Sequence, residues 1–188
     1  MQGGSTIAAG FNHYDKAHLT MALSMYDISV PVFTRGLGQL THLFDKSLAH
    51  AKANGIDTAT LVDARLAPDM LTLAGQVQRA SDASKLGAAR IAGITAPSFP
   101  DEEKTWDDLL ARIRKTQDFL ATVDRALIDG QEERPVTIKQ REGEVTFPAQ
   151  RYLLQFALPN FFFHVTTAYD VLRHSGMPVG KLDYLGKF

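Results

Sequence analysis

Apolar residues recur at three- and four-residue steps in four separated stretches of this chain, a spacing that predicts four amphipathic helices. In the first, Val30, Phe33, Leu37, Leu40, Phe44, Leu48 and Ala51 make one stripe between about residues 27 and 53. Pro31 fits its first turn, where a missing N–H has no intrahelical partner to lose. Asn54-Gly55 ends it, and a connector with a short helical turn continues to Ala67. The second helix is predicted from Pro68 to about Ile91, with the stripe Met70, Leu73, Ala74, Val77, Ala80, Ser84 and Ala88. Its small residues let a neighbouring helix come close. After a Pro-bearing loop from Gly93 to Pro100, Asp101 is predicted to cap the third helix, with Glu102 and Glu103 at the positive end of its dipole. Its stripe is Trp106, Leu109, Ile113, Thr116, Leu120 and Val123, ending near Asp129-Gly130.

The pattern then changes period. Val136 and Ile138 alternate with polar residues, Arg141-Glu142-Gly143 can turn, and Val145 and Phe147 alternate again, which predicts a short β-hairpin. The fourth helix is predicted from Pro148 to His174, stopped by Gly176 and Pro178. The tail from Lys181 to Phe188, with Leu182, Tyr184 and Leu185, should fold back on the body. The expected fold is therefore all-α: one four-helix bundle with a short β-hairpin before the last helix. The long connector between the first two helices permits a crossover, so simple up-down order is not required.

On an ideal wheel the fourth helix carries Leu153, Phe156, Ala157, Asn160, His164, Thr167, Ala168 and Val171 on one face. Asn160, His164 and Thr167 are polar in an otherwise apolar stripe, and Asn160 and His164 are four apart and stack on the same side. An unpaired buried polar group costs about 1–3 kcal/mol. Two readings follow: a satisfied core network that fixes register, or a polar pocket in the bundle core, where such folds keep ligand sites. The other side of this helix, Leu158, Phe162, Val165 and Tyr169, is apolar where a surface helix should be polar. A cover is needed, either the C-terminal tail or a second copy of the chain. A homodimer through the fourth helix is the expectation, because two-fold pairing is the commonest way to bury such a patch.

Composition narrows the function classes. The chain has 188 residues, enough for one domain with a full core, and 45% of them are hydrophobic. Twenty basic and 21 acidic side chains leave a net charge of −1, which speaks against a nucleic-acid partner and against docking on anionic lipid. No apolar run approaches the ~18–20 residues of a membrane span. The chain has no cysteine, which excludes disulfides, thiolate catalysis and cysteine-ligated metal, and fits a reducing, cytoplasmic compartment. Residues 1–23, which carry Gly3, Gly4, Gly10, Ser5 and Asn12, read as a disordered extension or as sequence upstream of a start at Met21 or Met25, and the bundle occupies residues 24–188. His13 and His18 fall in that extension and carry little weight.

The run Leu158-Pro159-Asn160-Phe161-Phe162-Phe163-His164-Val165-Thr166-Thr167-Ala168-Tyr169-Asp170-Val171-Leu172-Arg173-His174, followed by Gly176 and Pro178, resembles the closing helix of a family of uncharacterised domains. That family belongs to the DinB/YfiT-like superfamily of four-helix bundles. Met25-Tyr26-Asp27-Ile28 and Ala64-Arg65-Leu66-Ala67-Pro68-Asp69-Met70 resemble its earlier segments. The resemblance implies a bundle fold but no activity. The wider superfamily is known for a metal site of three histidines, one on the second helix and a His-x-x-x-His pair on the last. The resemblance places His164 on the second histidine of that pair, Asn160 on the first, and Gln76 near the helix-two histidine. Amides are poor ligands for zinc or nickel, so no metal or other cofactor is expected.

The candidate pocket is thus Gln76, Asn160, His164 and Thr167, with Asp69 near its mouth. One function expected of it is binding of a small molecule without metal. The alternative is an enzyme, with a degenerate metal site that recruits a carboxylate such as Asp69, or with acid–base chemistry at His164. His42 and His50 read as solvated surface groups, His174 as a complement to its helix dipole, and the run Asp101, Glu102, Glu103, Asp107 and Asp108 as a solvated face. No phosphate loop, Gly-x-Ser-x-Gly elbow or His-Glu-x-x-His helix is present.

Overall fold

A computed structural model describes residues 23–140 and 143–187. The predicted extension, apart from Leu23, and Arg141 and Glu142 of the predicted three-residue turn lie outside the described residues, and the third turn residue, Gly143, opens the second strand instead. Four long helices carry the bundle: α1 (Val30–Asn54), α3 (Leu73–Ala92), α4 (Trp106–Ala121) and α6 (Leu158–His174). Three short ones, α2 (Thr58–Val62), α5 (Ala149–Tyr152) and α7 (Lys181–Leu185), lie in the connector, before α6 and in the tail. Strands β1 (Pro135–Gln140) and β2 (Gly143–Pro148) form the predicted antiparallel hairpin, with Val136 opposite Phe147 and Ile138 opposite Val145. Val136 and Ile138 are buried, whereas Val145 is exposed, so mainly β1 feeds the core.

The first three predicted stripes are the core. Phe33, Leu37, Leu40 and Phe44 of α1, Leu73, Val77, Ala80 and Ala88 of α3, and Trp106, Leu109, Ile113 and Leu120 of α4 are all buried. Helix α3 packs on α4 and α6, and α1 packs on the same two helices. Each pair that is consecutive along the chain except α3 and α4 is therefore diagonal, and the connectors cross the ends of the bundle. Close packing depends on small residues. A Cβ at Gly36 of α1 would collide with the Phe161 ring of α6, and one at Gly87 of α3 would press on the Phe33 ring.

Two helix starts differ from the sequence expectation. Helix α3 begins at Leu73 rather than Pro68, because the Thr72 hydroxyl accepts the Gly75 N–H and caps it. Helix α4 begins at Trp106 rather than beside Asp101, because Thr105 and Asp108 form a capping box. Residues 97–105 are thus a loop, and the acidic run there is not a plain solvated face. Glu103 and Asp101 bind Arg112, a fully buried cation on α4.

Arg112 is the polar centre of the fold. Its Nε donates to Ser81 Oγ at 2.8 Å. One terminal nitrogen donates to the Pro100 carbonyl at 3.0 Å and to Glu103 at 2.9 Å. The other donates to Asp82 at 3.0 Å and to Asp101 at 3.3 Å. All five guanidinium N–H groups therefore have acceptors, which is the condition for burying such a charge. Asp82 also takes Lys85 at 3.2 Å, itself buried, and Lys85 and Arg112 both lie over the Phe99 ring. Burial alone would raise the Glu103 carboxyl. Hydrogen bonds from Gln78, its own backbone N–H and Arg112 outweigh that and hold it below the usual range.

The tail folds back as predicted, with Tyr184 against Tyr169 and its hydroxyl 2.9 Å from Thr166 Oγ1. Lys46 and His42 of α1 hold Asp183, and Arg35 donates to the Leu185 carbonyl. Leu182, expected to pack inward, is instead 79% exposed.

Replacing Arg112 by Met strands Asp82, Asp101 and Glu103 beside an apolar side chain. Arg112→Met is expected to lower the unfolding free energy by about 3–5 kcal/mol, read by urea denaturation. A loss below about 1 kcal/mol, the size of a surface pair, means the network does not hold α3 to α4.

Candidate functional site

The last helical segment is not one continuous α-helix. Leu153–Ala157 forms a π turn, in which the Leu158 N–H donates to the Leu153 carbonyl five residues back. Pro159 explains its position. A proline ring clashes with the carbonyl four residues earlier and offers that carbonyl no N–H; here that carbonyl belongs to Gln155, inside the wide turn. The turn resets the register. Leu153, Ala157, Phe161 and Val165 are buried at steps of four, followed by Ala168 and Leu172. In an unbroken α-helix, steps of four drift by about 40° each, and a wider turn takes that drift back. The ideal wheel is therefore wrong here: Phe156 is 37% exposed, and Phe161 and Val165 fill the core instead. Of the supposed outer face, Val165 is buried, Tyr169 lies against the tail, and Phe162 remains partly exposed.

The new register puts the polar residues at the flank of the bundle, half inside. His164 on α6 meets Gln76 on α3, with Nδ1 and Oε1 2.8 Å apart. Gln76 is buried, and its Nε2 donates to the Leu71 carbonyl at 3.3 Å. The opposite amide orientation would set two carbonyl oxygens against each other at Leu71. The amide oxygen therefore faces His164, and an acceptor there requires the proton on Nδ1. Nε2 is left with its lone pair and has no hydrogen-bond partner among the described residues. Burial pushes the imidazole down from its ordinary 6.5 to about 4, and the cation of Arg79 adds to the shift. His164 is thus a neutral base at pH 7.

The other predicted residues separate. Thr167 is buried but donates to the Phe163 carbonyl of its own helix at 2.7 Å, a closed local bond. Asp69 is exposed in the connector before α3 and forms no ion pair among the described residues. Its neighbour Arg65 points at the Pro68 and Met70 carbonyls instead. Asn160, half-buried, lines a cleft of about 240 Å³ between α3, the π turn and β1. Its side-chain amide has no hydrogen bond among the described residues.

That cleft contains residues the sequence reading did not single out. Arg79, Asp82, Ala83, Leu86 and Arg90 face it from α3 at helical spacing, and Tyr152, Phe156 and Ala157 from the opposite wall. Arg90 donates to the Tyr152 hydroxyl at 3.0 Å, and Tyr152 stacks on Phe156 with ring centres 5.8 Å apart. The available signal was Pro159, which breaks the ideal wheel on which Phe156 was assigned to the core.

A ring of four long helices, a hairpin before the last, and a histidine of that last helix facing α3 define a bundle of the DinB-like class. The sequence profile described as Domain of unknown function (DUF1993) matches residues 25–185. The chain belongs to that family. It is also similar to a solved structure, a DinB family member protein from Shewanella denitrificans. The two share 37% sequence identity and a TM-score of 0.80, over 87% of this chain and 92% of that one. No curated protein matches.

The three-histidine site that the superfamily resemblance implies does not fit these side chains. His164 Nδ1 is committed to Gln76, the Gln76 oxygen faces that imidazole rather than a shared centre, and Asn160 lines the neighbouring cleft. Two neutral amides and one imidazole are a weak donor set for a transition metal. Among the described residues, no three His, Asp or Glu side chains are arranged to hold a metal ion.

The low His164 pKa has a thermodynamic consequence. Between about 4 and 6.5 the unfolded chain binds a proton at this position that the folded protein does not. The stability tied to the neutral imidazole is therefore complete above about pH 6.5 and is lost as pH falls towards 4. The imidazole resonances should titrate with a midpoint near 4, and unfolding free energy should fall across that window more steeply than in His164→Gln. A midpoint near the ordinary histidine value would show that the ring is solvated and unpaired.

Proposed function

We propose that this protein is a binding bundle, independent of metal, that takes a small organic molecule in the cleft between α3, the π turn and β1. The observation that carries this reading is Asn160, a half-buried amide without a partner among the described residues, facing a recess floored by Leu86, Phe156 and Ala157. A few polar groups set on apolar walls is the usual make-up of a ligand site. π turns recur at functional sites, where they re-aim side chains. Arg79 lines the cleft and also acts on His164, which joins the recess to the Gln76–His164 pair. In this reading Thr167 serves the cleft only indirectly, through its bond within α6, and Asp69, exposed in the connector before α3, has no part in it. The absence of cysteine supports action in the cytoplasm, and no helix among the described residues is long and apolar enough to cross a membrane.

A second reading, acid–base catalysis, rests on His164. Its Nε2 lone pair is open to a proton from a bound molecule, although burial and the Arg79 cation, which hold the ring pKa at about 4, make it a weak base at pH 7. The proposed homodimer is supported by Phe162 and Phe163, 36% and 58% exposed on α6 after the tail has covered Tyr169.

Titration of small neutral and charged aromatic fragments into the intact chain, followed by amide NMR, tests the binding reading. Shift changes are expected at the Asn160 side chain and at Leu86, and Asn160→Leu should abolish them. Hits confined to other surfaces, or stoichiometric zinc, nickel or iron in protein purified without affinity metal, would sink it. Light scattering tests the dimer: a mass of 20.7 kDa removes it and twice that mass supports it.

A further inference from the structure

We infer that the ligand of this cleft is a small carboxylate with an apolar body, its charged end held by Arg90 and Tyr152; this rests on the binding reading above. The cleft walls carry Arg79, Arg90 and Lys139 against the single carboxylate of Asp82. That carboxylate is already taken from behind by Arg112 and Lys85, both buried. Arg79 is matched by Asp82 and Asp101, and Lys139 by Glu144 of β2 at 4.0 Å. Arg90 differs. It is half-buried and has no carboxylate within ion-pair distance among the described residues, and its one side-chain hydrogen bond goes to Tyr152. A partly buried guanidinium without a counter-charge is the natural seat for an anion that completes it.

Tyr152 strengthens the assignment. Its hydroxyl oxygen accepts from Arg90, which leaves the O–H hydrogen without an acceptor among the described residues. Guanidinium and phenol together offer an anion several N–H donors and one O–H donor from neighbouring positions. A planar carboxylate matches the guanidinium fork two-fold. One unmatched cation suits one negative charge, so a monoanionic carboxylate is favoured over a dianionic phosphate. The Asn160 amide can add a bond at the opposite rim. The Phe156 ring, stacked on Tyr152, and the Leu86 and Ala157 side chains give the body of the ligand an apolar wall. The recess of about 240 Å³ is smaller than drug-sized sites of about 300–1,000 Å³, so the ligand is a short acid with a branched alkyl or single aryl group.

The test uses the intact chain and matched pairs of probes: isovalerate with isovaleramide, benzoate with benzamide, and phenyl phosphate. Binding is followed by NMR at the Arg90 side chain and the Asn160 amide. The acids are expected to bind about tenfold or more tighter than their amides and tighter than phenyl phosphate. Arg90→Gln should weaken benzoate by about tenfold or more while leaving benzamide unchanged. Tyr152→Phe, which keeps the ring stack, should weaken benzoate by a smaller factor. Both variants must keep the dispersed wild-type spectrum; if Arg90→Gln does not, Arg90→Lys, which keeps the charge but not the fork, is expected to weaken benzoate and not benzamide. If amides bind in the cleft as tightly as acids, or Arg90→Gln leaves benzoate unaffected, the carboxylate assignment is overturned while the binding reading stands. If no probe moves Asn160, both are overturned. Preference for phenyl phosphate also overturns the assignment.

Discussion

Pro159 cannot donate to the carbonyl of Gln155, and its ring cannot lie beneath it. A helix crossing that position must open, and the π turn at Leu153–Ala157 is where it opens. Much of the molecule's character follows from that one steric constraint. It aligns Ala157, Phe161 and Val165 with the core, so the Phe161 ring can enter the gap left by the bare backbone at Gly36 and meet Phe33 edge-on at 5.2 Å. It turns Phe156 out of the core and into the wall of a cleft. It carries Asn160 and His164 from the centre of the bundle to its flank, one beside the recess and the other against Gln76.

The second organising element is electrostatic and lies on the far side of α3. Arg112, with Ser81, Asp82, Asp101, Glu103 and the Pro100 carbonyl, fastens the 93–105 loop and α4 to α3. Bond for bond it is saturated, which marks it as structure rather than a site. Its reach extends to the cleft through Asp82, a carboxylate shared by Arg112, Lys85 and Arg79. Because Asp82 faces those three cations, it has little negative charge to spare for Arg90 two turns further along α3. A network that stabilises the fold thereby sets the electrostatic sign of the recess next to it.

At the Gln76–His164 contact, chemistry and position fit together. A buried amide can satisfy both ends only by pairing, and Gln76 uses the Leu71 carbonyl for its donor and the imidazole for its acceptor. That fixes the tautomer of His164 and leaves one free nitrogen, held neutral by burial and by Arg79. Three imidazoles converging on a metal need lone pairs aimed at one point. Here one lone pair belongs to an amide oxygen turned to the imidazole, and the Asn160 amide is in the adjoining cleft. The DinB-like frame here carries the Gln76–His164 pair at its flank.

The sequence by itself determined the architecture. Three of the four helical stripes and the two alternating segments of the hairpin follow from periodicity, since burying a stripe or one face of a strand admits few alternatives, and the return of the tail follows from its apolar residues. Gln76 and His164 were also legible as a pair, through the resemblance of the last helix. The helix starts at Thr72 and Thr105 were misplaced because several residues nearby can cap, and only the chain path selects among them. The tertiary structure alone decided which side of the last helix faces in, because a π turn breaks the 100° rule on which a wheel depends. It alone turned an acidic run into ligands for a buried arginine, since Arg112 reads as an ordinary basic residue until the loop folds over it. Arg90, Tyr152 and Asn160 converge only because that altered register and β1 close a cleft against α3. Arg79 through Arg90 share one face of α3, but no spacing along the chain ties that face to Tyr152 and Asn160 on two other elements.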